Sequence, residues 1–205
     1  MPKKKTFKDQ FKKLWNFIWY EDSLASWVVN IILAFIIIKF IVYPFLGFAL
    51  GTSLPVVAVV SESMEHDGDF ETWWNSPAHC QEEVCTQELF YAQYNITKNE
   101  FKDYIFKNGF NKGDIIILYR ANNLEIGEVI TFKPINENSY PIIHRIINIE
   151  NNTYQTKGDH NIKMINKSDH LNEYNIRKDD LIGKALFKIP YLGYIKLIFT
   201  DIFIK

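Results

Sequence analysis

Cysteine is scarce in this chain: among 205 residues there are two, Cys80 and Cys85. The four residues between them suit neither a CxxC redox pair nor a usual zinc pair, and no His/Cys spacing resembles a metal site. No metal or cofactor is therefore expected. Two readings of the cysteines stay open, independent thiols or a small local disulfide formed in an oxidising space. Net charge is lacking too. The formal balance of -1 gives no reason to expect a nucleic-acid partner. No internal repeat is visible, and the length allows one ordinary domain plus a membrane segment.

The average charge hides a gradient. The first 20 residues carry Lys3, Lys4, Lys5, Lys8, Lys12 and Lys13 against Asp9 alone, and most acidic residues follow later. Between them, residues 24–50 are apolar apart from Ser26, Asn30 and Lys39. As a helix this stretch rises about 40 Å, more than the roughly 30 Å hydrocarbon core, so a tilt or a break at Pro44 and Gly47 is expected. The run is too long for a cleavable signal peptide. Trp15, Trp19 and Tyr20 suit an interfacial belt, and the lysines place the N-terminus in the cytoplasm and residues after about 52 outside. A charge inside a span is a functional candidate by default, but tilting lets Lys39 snorkel to an interface, and that reading is favoured.

Beyond the span, Leu54–Val60, Asp114–Tyr119, Glu128–Phe132, Ile142–Glu150, Thr153–Thr156 and Leu181–Ile189 have the β-branched and aromatic enrichment of strands. Gly and Asn clusters mark the turns between them. The fold class expected is mainly β, with one N-terminal transmembrane helix and a partly helical insertion. Its divisions are a basic amphipathic segment at 1–22, an anchor at 23–52 and a β-rich domain at 53–205. The insertion, at about 66–112, holds both cysteines and a helix-like patch at Lys98–Phe106. Trp73 and Trp74 within it suit packing more than lipid headgroups. His66, His79, His160 and His170 read as solvated. Asn95, Asn151 and Asn166 begin sequons.

Three segments bring reactive side chains. Val57–Val60 runs into Ser61-Glu62-Ser63-Met64; Pro141-Ile142-Ile143-His144-Arg145 sets a histidine in a strand; Thr156-Lys157-Gly158-Asp159 is a turn with a carboxylate. Singly, each has a structural explanation: a cap, a core histidine, a common turn.

In order along the chain they resemble the type I signal peptidases of the archaeal and endoplasmic-reticulum subgroup. The likeness takes in the single anchor, Pro55–Val60, the Ser61–Met64 box and Lys112-Gly113-Asp114-Ile115. It continues through Ile126–Ile130, His144-Arg145, Thr156–Asp159 and Ile189–Tyr194. The resemblance implies a membrane serine endopeptidase that removes signal peptides after small residues, with preproteins, the lipid bilayer and accessory or export-channel subunits as partners. It implies Ser63 as nucleophile, His144 as base, and Ser61 beside the Ser63 N–H at the oxyanion. A serine hydroxyl needs such a base, and imidazole titrates near neutrality. Asp159 ranks first as the carboxylate behind His144. The subgroup has a second aspartate about six residues on, where this chain has Ile165, so Asp169 ranks second. The insertion is expected beside the cleft, acting on substrate choice or docking and not on the chemical step. The rival readings are a specialised precursor-processing peptidase and a catalytically silent membrane-tethered binding module.

Overall fold

The computed structural model describes residues 6–136, 140–166 and 171–194. It falls into two compact units, residues 1–49 and residues 50–205.

The first unit is helical. Helix α1 (Phe7–Trp19) starts at Thr6, whose hydroxyl donates to Asp9 Oδ2 at 2.6 Å. Helix α2 (Leu24–Ile37) follows a short turn. Two of the three polar residues in the apolar stretch have their reason here. Ser26 Oγ donates to Phe17 O at 2.6 Å and Asn30 Nδ2 to Ile18 O at 2.9 Å. Carbonyls in the last turn of a helix have no partner within it, and these side chains supply one. The expected break at Pro44 does not occur. A π-helical turn at Ile38–Val42 leads into α3 (Tyr43–Leu50). Proline cannot donate to the ladder and its ring crowds the carbonyl four residues back, which the wider turn relieves. The helical run Leu24–Leu50 is thus continuous, and long and apolar enough to cross a membrane. Lys39 Nζ lies 5.6 Å from the ring centroids of both Phe35 and Phe40.

The second unit is mainly β. Its sheet comprises β1 (Val56–Ala58), β4 (Ile115–Tyr119), β5 (Val129–Phe132), β6 (Ile142–Glu150), β7 (Thr153–Lys157), β8 (Ile176–Arg177) and β9 (Leu181–Ile189). The spatial order is β1-β4-β9-β5-β6-β7-β8, antiparallel at every pairing. Asn151 and Asn152 make the β6–β7 turn with φ of 47° and 66°, values that asparagine tolerates better than most residues. Strand β5 is buried at all four residues, while β4 alternates between buried and half-buried positions.

Between β1 and β4 the chain builds a lobe. It comprises α4 (Phe70–Trp74), a hairpin of β2 (Pro77–Cys80) and β3 (Glu83–Thr86), α5 (Gln87–Ala92) and α6 (Lys98–Asp103). Cys80 and Cys85 form a disulfide across the hairpin. Trp73, Trp74, Phe90, Tyr91 and Phe101 pack into one aromatic cluster that also takes in Ile147 of β6 and Met164. The pairing of β6 with β7 shifts between Ile146 and Asn148, leaving Ile147 as the extra residue of a bulge. Ile146 joins a separate cluster with Ile130, Phe132, Leu171 and Ile176. The bulge thus seats the lobe on the sheet.

Trp73 is 1% exposed at the centre of that cluster. Trp73→Ala should lower the unfolding free energy by about 3–5 kcal/mol, measured by denaturant titration of the full chain in detergent. Val84→Ala, at a side chain 74% exposed, should stay within about 0.5 kcal/mol of the parent.

Candidate active site

Ser63 follows β1 by a short turn. Val59 exchanges backbone bonds with the 113–114 segment: its N–H reaches Asp114 O and its carbonyl accepts from Gly113 N–H, both at 2.9 Å. Met64, 1% exposed, plugs the core. Backbone on both sides then grips the Ser63–Met64 pair. His160 N–H donates to Ser63 O at 2.9 Å, and Phe110 N–H donates to Met64 O at 3.0 Å. Ser63 itself stays half-buried, and the exposed Ser61 brings its Oγ within 3.3 Å of Ser63 Oγ.

His144 comes from β6, opposite Ile130 of β5. Its Nε2 lies 3.0 Å from Ser63 Oγ, across 81 residues of sequence. On the other side of the ring, Nδ1 lies 2.5 Å from Glu173 Oε1. Glu173 is fully buried. Its second oxygen accepts Ile165 N–H at 2.7 Å, and Thr156 Oγ1 approaches the first at 3.4 Å. Its backbone is fixed as well, with Thr156 N–H donating to Glu173 O and Glu173 N–H to Ile165 O. A carboxylate only accepts, so Nδ1 carries the proton and Nε2 turns its lone pair to the serine hydroxyl. Serine, imidazole and carboxylate stand in series, which is the arrangement that makes a hydroxyl nucleophilic.

The carboxylate behind His144 is therefore Glu173, not Asp159, which ranked first from sequence. Asp159 receives Arg145 Nη2 at 2.6 Å and Nε at 2.9 Å, Tyr91 Oη at 3.1 Å and His66 Nε2 at 3.1 Å. The reason is strand geometry. Successive side chains on a strand face opposite sides, so Arg145 and its partners are turned away from His144. Asp169 and His170 lie outside the described residues. Nothing local in the sequence marked Glu173, since it follows no motif and stands 29 residues from its histidine. One indirect signal existed. Ile165, where the resemblance expects an aspartate, gives its N–H to the glutamate, so the carboxylate arrives at that place from farther along the chain.

His66 does not read as the solvated residue expected: its side chain is 2% exposed and its ring stacks on Trp73 at 3.6 Å. His79 is half-buried, and His160, exposed, lies 3.8 Å from Asp67. Burial alone would raise the Asp159 carboxyl, but the Arg145 charge and the His66 bond hold it well below the usual range. Arg145 also donates to Gly127 O at 2.8 Å and Phe106 O at 2.8 Å. Gly158 has no room for a side chain, since a Cβ there would lie 2.6 Å from Ser63 O and 2.8 Å from His144 Nε2. Among the described residues, no group of three or more His, Cys, Asp or Glu is placed to hold a metal ion.

The described residues thus combine a mainly β unit that carries a serine–imidazole–carboxylate series with one apolar helix long enough to cross a membrane. No family model matches the chain. It is similar to signal peptidase complex catalytic subunits named SEC11. The Candida tropicalis protein is 30% identical over 98 residues, covering 45% of this chain and 58% of that protein. The Debaryomyces hansenii protein is 32% identical over 103 residues, covering 45% and 59%. Human SEC11C is 29% identical over 100 residues, covering 45% and 51%. The chain thus spans between about half and three-fifths of the length of these relatives. The likeness is one of sequence and takes in 45% of this chain.

Asp159 yields a stability prediction with a definite sign. Its folded-state affinity for protons is below that of an unfolded aspartate, so its contribution is complete above the ordinary carboxylate value of about 4. It is lost as pH falls toward the lower folded value. Asp159→Asn should flatten the fall in unfolding free energy below pH 4 measured for the parent chain. Arg145→Met, which leaves the buried carboxylate unpaired, should cost about 3–5 kcal/mol at neutral pH.

Proposed function

We propose that this protein is a membrane-bound serine endopeptidase that removes N-terminal signal peptides from exported proteins. The observation that carries the reading is the Ser63–His144–Glu173 series, with Oγ 3.0 Å from Nε2 and Nδ1 2.5 Å from the carboxylate. In the reaction, Ser63 Oγ attacks the scissile carbonyl while His144 Nε2 takes its proton. The resulting oxyanion is met by the Ser63 N–H and the Ser61 hydroxyl, and the imidazolium is stabilised by Glu173. His144 then returns the proton to the leaving amine. A water activated by the same imidazole hydrolyses the acyl-enzyme and regenerates Ser63.

Substrate recognition has a candidate surface. Strand β1 pairs with β4 on one side, and among the described residues no strand pairs with its other side. An exposed edge of this kind binds extended peptides through main-chain bonds. A cavity of about 810 Å³ lies in the same unit, lined by Ser53, Leu54, Phe132, Leu171, Ile176 and Ile182 among others. Phe132 sets its ring edge-on to His144 with centroids 6.4 Å apart. The names of the relatives support this reading and suggest accessory subunits. The lysine-rich start supports a cytoplasmic N-terminus with the second unit outside.

Cleavage of a model preprotein tests the proposal. Ser63→Ala and His144→Ala should each lower turnover by several orders of magnitude, and the double variant should lose little more. Glu173→Gln should cost on the order of 10⁴ in rate, by removing the group that fixes the tautomer and stabilises the imidazolium. Asp159→Asn should act mainly on stability. Near-parental processing by Ser63→Ala would end the reading of Ser63 as nucleophile, and absence of processing by the parent chain would leave the tethered binding module. For orientation, an impermeant thiol reagent should label Asn122→Cys from the outer face and Lys8→Cys only after the membrane is opened. The opposite pattern refutes the assigned topology.

A further inference from the structure

One buried cation is left without a task by the chemistry above. Lys157 ends β7, directly opposite Arg145 in the register, and both are fully buried. Like charges facing each other across strands destabilise a sheet. Asp159 answers only one of them, since its carboxylate oxygens go to Arg145, His66 and Tyr91. The ammonium of Lys157 instead meets neutral acceptors: Gln87 Oε1 at 2.8 Å, Gly158 O at 3.1 Å and Asp159 O at 3.4 Å. The rings of Phe90 and Tyr91 lie 5.0 and 5.3 Å away. Burial draws the lysine down to about 8, while Asp159 and Glu173 oppose the shift, so at neutral pH most molecules keep the charge. Holding a cation there costs free energy that an apolar residue would not.

The acceptors show what the cost achieves. Two consecutive carbonyls of the turn, Gly158 and Asp159, face the lysine, and Trp73 Nε1 also donates to Asp159 O at 3.0 Å. The amides of the turn face the other way. Asp159 N–H points to Met64 Sδ at 3.4 Å and His160 N–H to Ser63 O. The turn is thus a two-sided bridge, with one amide on the Ser63 backbone and one on the Met64 side chain, and its carbonyls on Lys157 and the lobe. Gly158, at closest approach, has no slack on the Ser63 and His144 side.

We propose that Lys157 is a positioning residue, through which Gln87 and the aromatic lobe hold the Gly158–Asp159 turn against Ser63 and His144. The lobe then belongs to the catalytic scaffold. This differs from the expectation that it acts on substrate choice or docking and not on the chemical step. The inference rests on the peptidase reading, and its test separates the two.

The test measures kcat and KM of the full chain in detergent on a short peptide substrate, per folded molecule, with Ser63→Ala as the blank. Displacing a reacting pair by a fraction of an ångström is expected to lower kcat of Lys157→Met by about ten- to a hundredfold with KM little changed. Gln87→Leu, which leaves the Lys157 side chain in place, should lower kcat in the same way, and Gln87→Glu, which keeps the acceptor for Lys157 while losing the long bonds to Pro77 O and Asn161 O, should recover most of it. The ¹⁵N resonances of the His144 ring provide a readout that needs no turnover, and they should move in Gln87→Leu but not in Gln87→Glu. Should Lys157→Met fail to fold, Gln87→Leu decides. Parental kcat and parental His144 resonances in Gln87→Leu would overturn the proposal. If the parent chain cuts no peptide, the peptidase reading fails while the resonances still judge the positioning.

Discussion

Taking a guanidinium and a carboxylate out of water costs several kcal/mol for each ion, and the loss is offset only when every donor and lone pair finds a partner. Arg145 and Asp159 meet that condition. Both are fully buried, joined by two short bonds, and the remaining guanidinium donors reach carbonyls at Ile105, Phe106 and Gly127. Those carbonyls flank the end of the lobe and the entry to β5, while Asp159 belongs to the turn that touches Ser63. The pair therefore ties sheet, lobe and turn at one point. The stacking of His66 on Trp73 and the bond from Tyr91 close the shell around it.

A strand that serves two faces explains why the reactive pair sits so close to this ionic knot. His144 looks toward Ser63 and Glu173, and Arg145, one residue on, looks toward Asp159 and the lobe. Any movement of β6 that loosened one side would disturb the other. The bulge at Ile147 adds a third attachment, because the residue it displaces enters the aromatic cluster. Within a few residues, β6 supplies an imidazole, an ionic anchor and an apolar plug.

Much of this could be read in the residues. Each of the six strands expected from β-branched runs overlaps an observed one, since local enrichment and alternation are local signals. Short β8 escaped, as did the elements of the lobe apart from α6, because their order comes from packing of Trp73, Trp74 and Tyr91 and not from periodicity. The polar Ser26 and Asn30 looked like blemishes in an apolar run until their carbonyl partners were placed. Ser63 and His144 stood out because ordered boxes marked them. Glu173 had no such mark: the requirement is a carboxylate at one point in space, and a loop of different length can meet it from another position. His66 was misjudged for a related reason. A lone histidine in a polar segment gives no hint that a tryptophan and an aspartate, one of them 93 residues away, enclose it.

The disulfide of the β2–β3 hairpin links this architecture to its surroundings. Bonds of this kind persist in secretory and extracytoplasmic spaces and are rare in the reducing cytosol. Cys85 stands two residues before Gln87, where α5 begins and where Gln87 N–H donates to Ser76 O at 2.9 Å across the base of the hairpin. Oxidation of the two thiols thus fixes the strand from which the glutamine springs. The fastening of the lobe thus includes a redox-dependent bond, of the kind that an oxidising compartment favours and a reducing one removes.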